Sequence, residues 1–387
     1  MFKVNTLNNI SPVGLQRLEP DTYDLEGSLE DAEVVLLRSA NMHEMEIPAG
    51  LKAVGRAGAG VNNIPVDQFS AVGIPVFNTP GANANAVKEL VVAGMLLSAR
   101  NLVQSWDYTR QLTSAGSELS KEVEAAKKQF AGYELPGRTL GVVGLGAIGR
   151  QVAKVAIDLG MKVIGYDPGL TISGAWQLSG EILQAASVDE LMAKSDMVTF
   201  HVPLNEHTRD LLDEKRVRLL KKGATVLNFA REGIVNNEAV LAALESDQLH
   251  AYVCDFPTAE LRACAKVISL PHLGASTREA EENCAVMVVD QVREYLEYGN
   301  ISNSVNFPDA MLPRSDGYRL AVVNSNVPNM VGQIATYLAE AGLNIIDMLN
   351  KSRGDLAYTL VDTDGKLPDE VAQKIRDIDG VLSVRMI

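Results

Sequence analysis

R-T-L-G-V-V-G-L-G-A-I-G-R, residues 138–150, runs a short apolar segment straight into three spaced glycines, Gly144, Gly146 and Gly149. Apolar residues then recur at helical spacing over residues 151–159, and Gly160 stands where such a helix would close. A second apolar run, residues 162–166, ends on Asp167. Strand, glycine turn, helix, strand and acid in that order predict a dinucleotide site. Gly144 permits the tight turn, Gly146 lets backbone approach a pyrophosphate, and Gly149 lets helix and strand pack closely. The helix N-terminus offers free N–H groups and partial positive charge to the phosphates. Asp167 follows Gly149 by 18 residues. A carboxylate there accepts both ribose hydroxyls and repels a 2′-phosphate, so NAD rather than NADP is the expected cofactor.

The remaining composition narrows the class. A chain of 387 residues predicts two or three domains, and 47% hydrophobic with 22% charged residues is the balance of a soluble globular protein. Asp and Glu number 49 against 35 Lys and Arg, giving a net charge of −14. Such a surface repels nucleic acid and anionic membrane, which bind through basic patches. The cysteines Cys254, Cys264 and Cys284 form no C-x-x-C and no Cys/His cluster. They are expected to be buried free thiols in a reducing compartment, with no metal site. The N-terminus lacks a signal-peptide core, and the most apolar stretch, residues 86–97, is short and interrupted by Lys88 and Glu89. A cytoplasmic enzyme is the expectation.

Residues 1 to about 95 alternate short apolar runs, at 3–7, 34–37, 51–55 and 75–77, with helical segments. This alternation predicts a parallel α/β sheet. Three of the runs end in Arg38-Ser39-Ala40, Arg56-Ala57-Gly58-Ala59-Gly60-Val61 and Asn78-Thr79-Pro80-Gly81. Open α/β sheets bind ligands beyond the carboxyl ends of their strands. Arg38, Arg56, Ala57, Gly58, Ala59 and Asn78 are therefore the candidates for binding substrate. The expected domains are 1–97 with 287–305 for substrate, 98–286 for NAD, and 316–387 as a C-terminal unit. In that last unit the order is strand, helix, two strands, helix, strand, the ferredoxin-like arrangement. The fold class is thus α/β, with two doubly wound parallel sheets, flavodoxin-like and Rossmann, plus a small βαββαβ domain.

Three polar clusters follow the glycine turn: Asn228 to Gly233, Asp255 to Glu260, and Pro271 to Thr277. If their strands share one parallel sheet, Arg231, Asp255 and His272 fall on the edge that carries the glycine turn. The chemistry implied is hydride transfer with a coupled proton. Imidazole serves as acid or base because its ordinary pKa lies near neutrality. An arginine grips a carboxylate or carbonyl bidentately. Glu260 is expected to hold the His272 tautomer. Of the other histidines, His201 also follows a strand, as a cofactor contact or a cap, while His43 and His207 lie in polar loops.

Together R-A-G-A-G-V at 56–61, the glycine turn, A-R-E-G at 230–233, Asp255 through Glu260 and P-H-L-G-A-S-T at 271–277 resemble the D-2-hydroxyacid dehydrogenase family. The resemblance covers nearly the whole chain, and its C-terminal part is similar to an ACT domain, a small amino-acid-binding regulatory module. It implies a two-domain catalytic core in which Arg231, Glu260 and His272 are the catalytic arginine, glutamate and histidine. Its NAD contacts map to Ala147, Ile148, Val202, Phe229, Ala230, Arg231, Asp255 and the loop 272–275, including Gly274 and Ala275. It implies a phosphorylated three-carbon 2-hydroxy or 2-oxo acid as substrate, with Arg38, Arg56 and the pair Lys127/Lys128 as candidate cations. It further implies L-serine as effector at Asn326 and Asn344, and a homodimer or homotetramer. Sibling reductases of hydroxypyruvate or glyoxylate, and a non-catalytic NAD-responsive co-regulator, are the alternatives. Three departures stand out. The usual D-V-F-x-x-E-P is here D-F-P-T-A-E-L, the usual A-R-G-G is A-R-E-G, and the usual His-x-Asn-x-Pro-Gly turn ends on Asn329.

Overall fold

A computed structural model describes residues 1–387. Its backbone forms three sheets. In the first, β1 (Phe2–Thr6), β2 (Tyr23–Asp24), β3 (Val34–Leu37), β4 (Ala53–Arg56) and β5 (Val76–Phe77) are parallel in the order β2-β1-β3-β4-β5. This is the flavodoxin-like order. The second sheet comprises β6 (Thr139–Val143), β7 (Lys162–Tyr166), β8 (Ile182–Gln184), β9 (Met197–Phe200), β10 (Ala224–Asn228), β11 (Leu249–Cys254) and β12 (Val267–Ser269). Its order, β12-β11-β10-β9-β6-β7-β8, is doubly wound and reverses direction between β6 and β9. The third sheet is antiparallel: β13 (Tyr318–Ser325), β14 (Ile345–Arg353), β15 (Leu356–Thr363) and β16 (Val381–Met386), in the order β14-β15-β13-β16. The expected class, two parallel α/β sheets and a small antiparallel domain, is the observed one.

The chain divides into two compact units, Met1–Ala82 with Arg278–Ile387, and Asn83–Thr277. The breaks therefore fall at 82/83 and 277/278, not at 97/98 and 286/287 as expected. Packing explains both shifts. On the helix Ala84–Ala99, Val87, Val91, Met95 and Ala99 share a core with Leu140, Val142, Val152 and Leu227 of the second sheet and its helix. A β-carbon on Gly94 would lie 3.1 Å from both Leu227 and Phe229, so this helix is pressed flush on its sheet. The helix Arg278–Tyr298 belongs to the first unit from its first turn. Cys284, Ala285, Val288 and Val292 pack with Val4, Val34, Leu36 and Ala53.

The third sheet is also built into the first unit. Ala321, Val323, Tyr358 and Leu360 of one face join that same core. The other face, with Leu320, Val322, Val361 and Val384, is covered by the helices Met330–Glu340 and Asp369–Arg376 through Ile334, Leu338, Ala372 and Ile375. Asn329 takes the left-handed conformation, φ +67°, just before the first of these helices, so asparagine does serve where the related turn has glycine. Two of the cysteines, Cys254 and Cys284, are buried free thiols, whereas Cys264 is only half-buried. No helix is long and apolar enough to cross a membrane.

Candidate active site

Strand register brings the separate sequence clusters together. In the second sheet Tyr166 pairs with Val143, Val143 with Phe200, Phe200 with Asn228, Asn228 with Cys254, and Cys254 with Ser269. These six residues form one row across the sheet. All strands run the same way, so the next residues, Asp167, Gly144, His201, Phe229, Asp255 and Leu270, lie along one carboxyl edge. The strand order reverses between β6 and β9, the position where doubly wound sheets hold ligands.

The glycine turn fits a dinucleotide at that point. Gly144 has φ +91°, and a β-carbon on it would meet the His201 carbonyl oxygen at 2.5 Å. A β-carbon on Gly149 would come within 1.9 Å of the Gly144 carbonyl oxygen, so the helix Ala147–Asp158 can dock only with glycine there. Gly146 is the opposite case: no atom lies within 4 Å of where its β-carbon would be. That space is open for phosphate, and no side chain caps the helix, which leaves the first N–H groups, including those of Ala147 and Ile148, to a ligand. Asp167 accepts from the Leu145 N–H at 2.8 Å and the Gly169 N–H at 2.9 Å. A carboxylate has about four acceptor positions, so two remain for ribose hydroxyls. Val202 stands at the turn, its Cγ1 2.8 Å from the β-carbon position of Gly144.

Farther along the edge, Phe229 is buried and anchors the start of the Arg231 loop. The Asn228 side chain pins that loop by donating to the Arg231 carbonyl at 3.0 Å and accepting from the Ala230 N–H at 3.2 Å. The exposed Arg231 guanidinium donates only to the Ala230 carbonyl, so it can swing to an anion. Glu232, the extra carboxylate, is also exposed. His272 packs edge-on against Phe256, with ring centroids 5.1 Å apart and planes at 85°. Asp255 is 1% exposed, and neither carboxylate oxygen has a hydrogen-bond partner. Burial raises its pKa, opposed by the charge of His272, by the backbone N–H groups of Asp255 and Gly274 that face it, and by the charge of Arg231. Gly274 is buried against it, with a would-be β-carbon 3.8 Å from Asp255 Oδ2. Ala275 continues that loop, half-buried.

Glu260 departs from expectation. It sits in the first turn of the short helix Ala259–Ala263, capped by Thr258, and lines a surface groove with Leu241, Glu245, Ala263 and Lys266. Its own backbone N–H and the Thr258 hydroxyl hold its pKa below the ordinary range, and it makes no bond to His272. The helix starts directly after Thr258, which turns the residue outward. His201 was the open case among the histidines. Its Nε2 lies 3.0 Å from the Thr199 hydroxyl, its Nδ1 is buried without a partner, and burial drives its pKa down to about 3. Burial thus keeps it neutral beside the turn.

The carboxyl edge of the first sheet gathers the arginine cluster within its own unit. Arg56 Nε donates to the Arg38 carbonyl at 3.0 Å, and a β-carbon on Gly58 would strike the Arg56 guanidinium at 2.7 Å. Asn78 donates to the Ala59 carbonyl at 2.6 Å, and Ala57 is buried beneath. The Arg38 guanidinium pairs with Glu281 at 2.6 Å. Glu281 was not singled out in the sequence, where it is one acid among several on an acid-rich helix. Lys127 pairs with Glu124 in a helical segment of the other unit, and Lys128 lies beside it. Asn326 and Asn344 are not together. Asn326 donates to the Gly354 carbonyl beyond one end of the sheet, while the Asn344 backbone donates to Asp364 Oδ1 and accepts from the Asp364 N–H at the other.

The family model for the D-isomer specific 2-hydroxyacid dehydrogenase NAD binding domain matches residues 92–274. A D-3-phosphoglycerate dehydrogenase of Methanocaldococcus jannaschii is 34% identical over 346 residues, 86% of this chain. The chain spans only 62% of the length of that relative. A D-3-phosphoglycerate dehydrogenase of Haemophilus influenzae is 32% identical over 382 residues, 95% of this chain and 89% of its own. Among solved structures, NAD+-bound 3-phosphoglycerate dehydrogenase of Entamoeba histolytica superposes with a TM-score of 0.63 at 24% identity, covering 79% of this chain and 98% of that one. That likeness establishes the fold. With the glycine turn, the acid of its second strand and relatives of this extent, the chain belongs to the D-isomer specific 2-hydroxyacid dehydrogenase family, whose cofactor is NAD.

Proposed function

We propose that the protein oxidises D-3-phosphoglycerate to 3-phosphohydroxypyruvate with NAD, and catalyses the reverse reduction. The observation that carries this is the row of strand ends from Tyr166 to Ser269, which puts the glycine turn, Arg231 and His272 on one edge of one sheet. The names of the two curated relatives support the choice of substrate. Bound NAD, held at the glycine turn and Asp167, would supply the hydride acceptor for C2 of the hydroxy acid. His272 takes the C2 hydroxyl proton as the carbonyl forms, and returns a proton to that oxygen in reduction. Arg231 grips the carboxylate or the developing oxygen charge, free to do so because its loop is held by Asn228 and not by its guanidinium. Arg38 and Arg56 supply the cations for the phosphate.

Purified protein should consume NADH with 3-phosphohydroxypyruvate faster than with glyoxylate, hydroxypyruvate or pyruvate. Equal or better turnover of those three would make it a sibling reductase. His272→Ala should lower kcat by at least ~100-fold, the scale of general acid–base catalysis. Near wild-type turnover would remove His272 from the reaction. We further propose L-serine as an inhibitor bound by Asn326 of one copy and Asn344 of another, because within one chain the two stand at opposite ends of the sheet. This requires a homo-oligomer joined through the C-terminal domains. Unchanged activity at millimolar serine, with no heat of binding, would exclude it.

A further inference from the structure

We infer that Glu281 is a specificity-determining residue: its carboxylate competes with the anionic tail of the substrate for Arg38, and so weakens the preference for phosphorylated over unphosphorylated acids. The inference rests on Arg38 and Arg56 taking the phosphate in the proposed reaction. The Arg38 guanidinium lies 2.6 Å from a Glu281 carboxylate oxygen. A carboxylate thus already stands where a ligand anion would pair.

Helix periodicity puts it there. Glu281 lies in the first turn of the helix Arg278–Tyr298, on the face that continues through Cys284, Ala285 and Val288. Those three are buried in the core of the first unit. A β-carbon on Gly55 would come within 2.7 Å of Val288, so the same face presses on β4 one residue before Arg56. The opposing arginine is fixed at its base. Asn8 Oδ1 accepts from the backbone N–H groups of Arg38, Ser39 and Ala40 at 3.4, 3.0 and 2.6 Å. The Arg38 carbonyl in turn accepts from Arg56 Nε at 3.0 Å. The backbone therefore sets the two arginines side by side, and the Arg38 guanidinium is the part that can change partner.

The exchange costs little. The Arg38 and Glu281 side chains are 36% and 45% exposed, and ion pairs at such exposure are weak. A phosphate monoester brings about two charges and three strong acceptor oxygens, so it displaces the single charge of Glu281. Its net gain is what it makes with Arg38 less what Glu281 gives up, and the displaced carboxylate remains nearby as a like charge. An acid with an uncharged tail leaves the Arg38–Glu281 pair intact and gains or loses nothing by it. A grip on a remote tail that is equal in ground and transition states deepens binding without speeding the chemical step. Glu281 trims that grip.

The test is calorimetric binding of D-3-phosphoglycerate and of D-glycerate to the NADH-bound protein. Glu281→Gln should raise the ratio of the two affinities, phosphorylated over unphosphorylated, by ~5-fold, the upper end for a part-exposed ion pair. In an Arg38→Gln background the same substitution should lose most of that effect, because the contested cation is gone. An unchanged or lowered ratio in Glu281→Gln would overturn the inference. So would an equal effect in both backgrounds, which is the mark of a general field of charge and not of competition for Arg38. A wild-type protein with no preference for the phosphorylated acid would overturn it as well, since no tail would then reach Arg38. These constants do not need turnover. A protein that shows the expected ratios and reduces no 2-oxo acid would sink the proposed reaction and leave the role of Glu281 standing.

Discussion

His201 illustrates how one buried side chain sets a pH dependence without entering the chemistry. Its pKa falls from an unfolded value of about 6.5 to about 3 in the folded protein, because burial penalises the imidazolium. Between those values the unfolded chain binds the extra proton. Stability is therefore fully present above about pH 6.5 and declines as pH falls toward 3, with a limiting slope of about 1.4 kcal/mol per pH unit. His201→Gln should flatten the dependence of urea stability on pH between 7 and 5. An unchanged slope would show that other groups dominate that window. At this scale the sequence was legible for residues whose backbone geometry dictates their type. Gly144 and Gly149 stand where a β-carbon has nowhere to go, and Asp167 ends its strand with its carboxylate on the Leu145 N–H of the turn. It was not legible for Glu260 and Asp255. Both are carboxylates of one hexapeptide, and which one faces inward depends on where Thr258 starts a helix.

Among the elements, the glycine turn separates folding from binding within six residues. Gly149→Ala drives a β-carbon to 1.9 Å from the Gly144 carbonyl oxygen, a backbone atom that cannot retreat without breaking the β6 turn. We expect it to destabilise the protein by at least about 1–3 kcal/mol, the cost of overpacking a dense interior. Gly146→Ala meets nothing within 4 Å, and its φ of −67° suits any L residue. It should fold with a near wild-type Tm and bind NADH at least ~10-fold more weakly, about 1.4 kcal/mol of phosphate contact. Thermal melts and fluorescence titration of NADH check both. Wild-type NADH affinity in Gly146→Ala would refute a phosphate at that position. The long apolar runs were recognisable as elements because they satisfy both faces of a parallel sheet. The strands Tyr23–Asp24 and Ile182–Gln184 were not, being two and three residues long and partly exposed.

Over the whole first unit, the C-terminal domain is joined to the rest by side chains that end on backbone carbonyls. Arg319 is fully buried, forms a two-point pair with Asp362 at 2.6 and 2.8 Å, and donates to the carbonyls of Tyr298, Leu312 and Pro313. Arg385 donates to the Tyr295 carbonyl and Tyr358 to that of Gly299, so the carbonyl end of the helix Arg278–Tyr298 is closed by the third sheet. Cations there also suit the negative end of the helix dipole. Nothing in the sequence marked Arg319 as interior, since its partner stands 43 residues away on a different strand. Arg319→Met removes one half of a buried pair and strands the other, which should cost about 3–5 kcal/mol. The pair also carries a pH dependence. Burial would raise the Asp362 pKa, but the bonds and charge of Arg319 and the Ser315 hydroxyl reverse this and hold it below the ordinary range. A depressed carboxylate contributes stability above its unfolded pKa of about 3.9, and that share is lost as pH falls through the folded value. The double variant Arg319→Met/Asp362→Leu should recover much of the lost stability and lose this acid dependence, because two well-packed apolar residues replace two desolvated charges. Hydrogen exchange separates this joint from a local defect. In wild type, amides of β3 and β15 should exchange with one common opening energy, since they share a core. In Arg319→Met those of β15 should open first. Equal protection of the two strands in the variant would show that the apolar core, and not the arginine, couples the C-terminal domain to the first sheet.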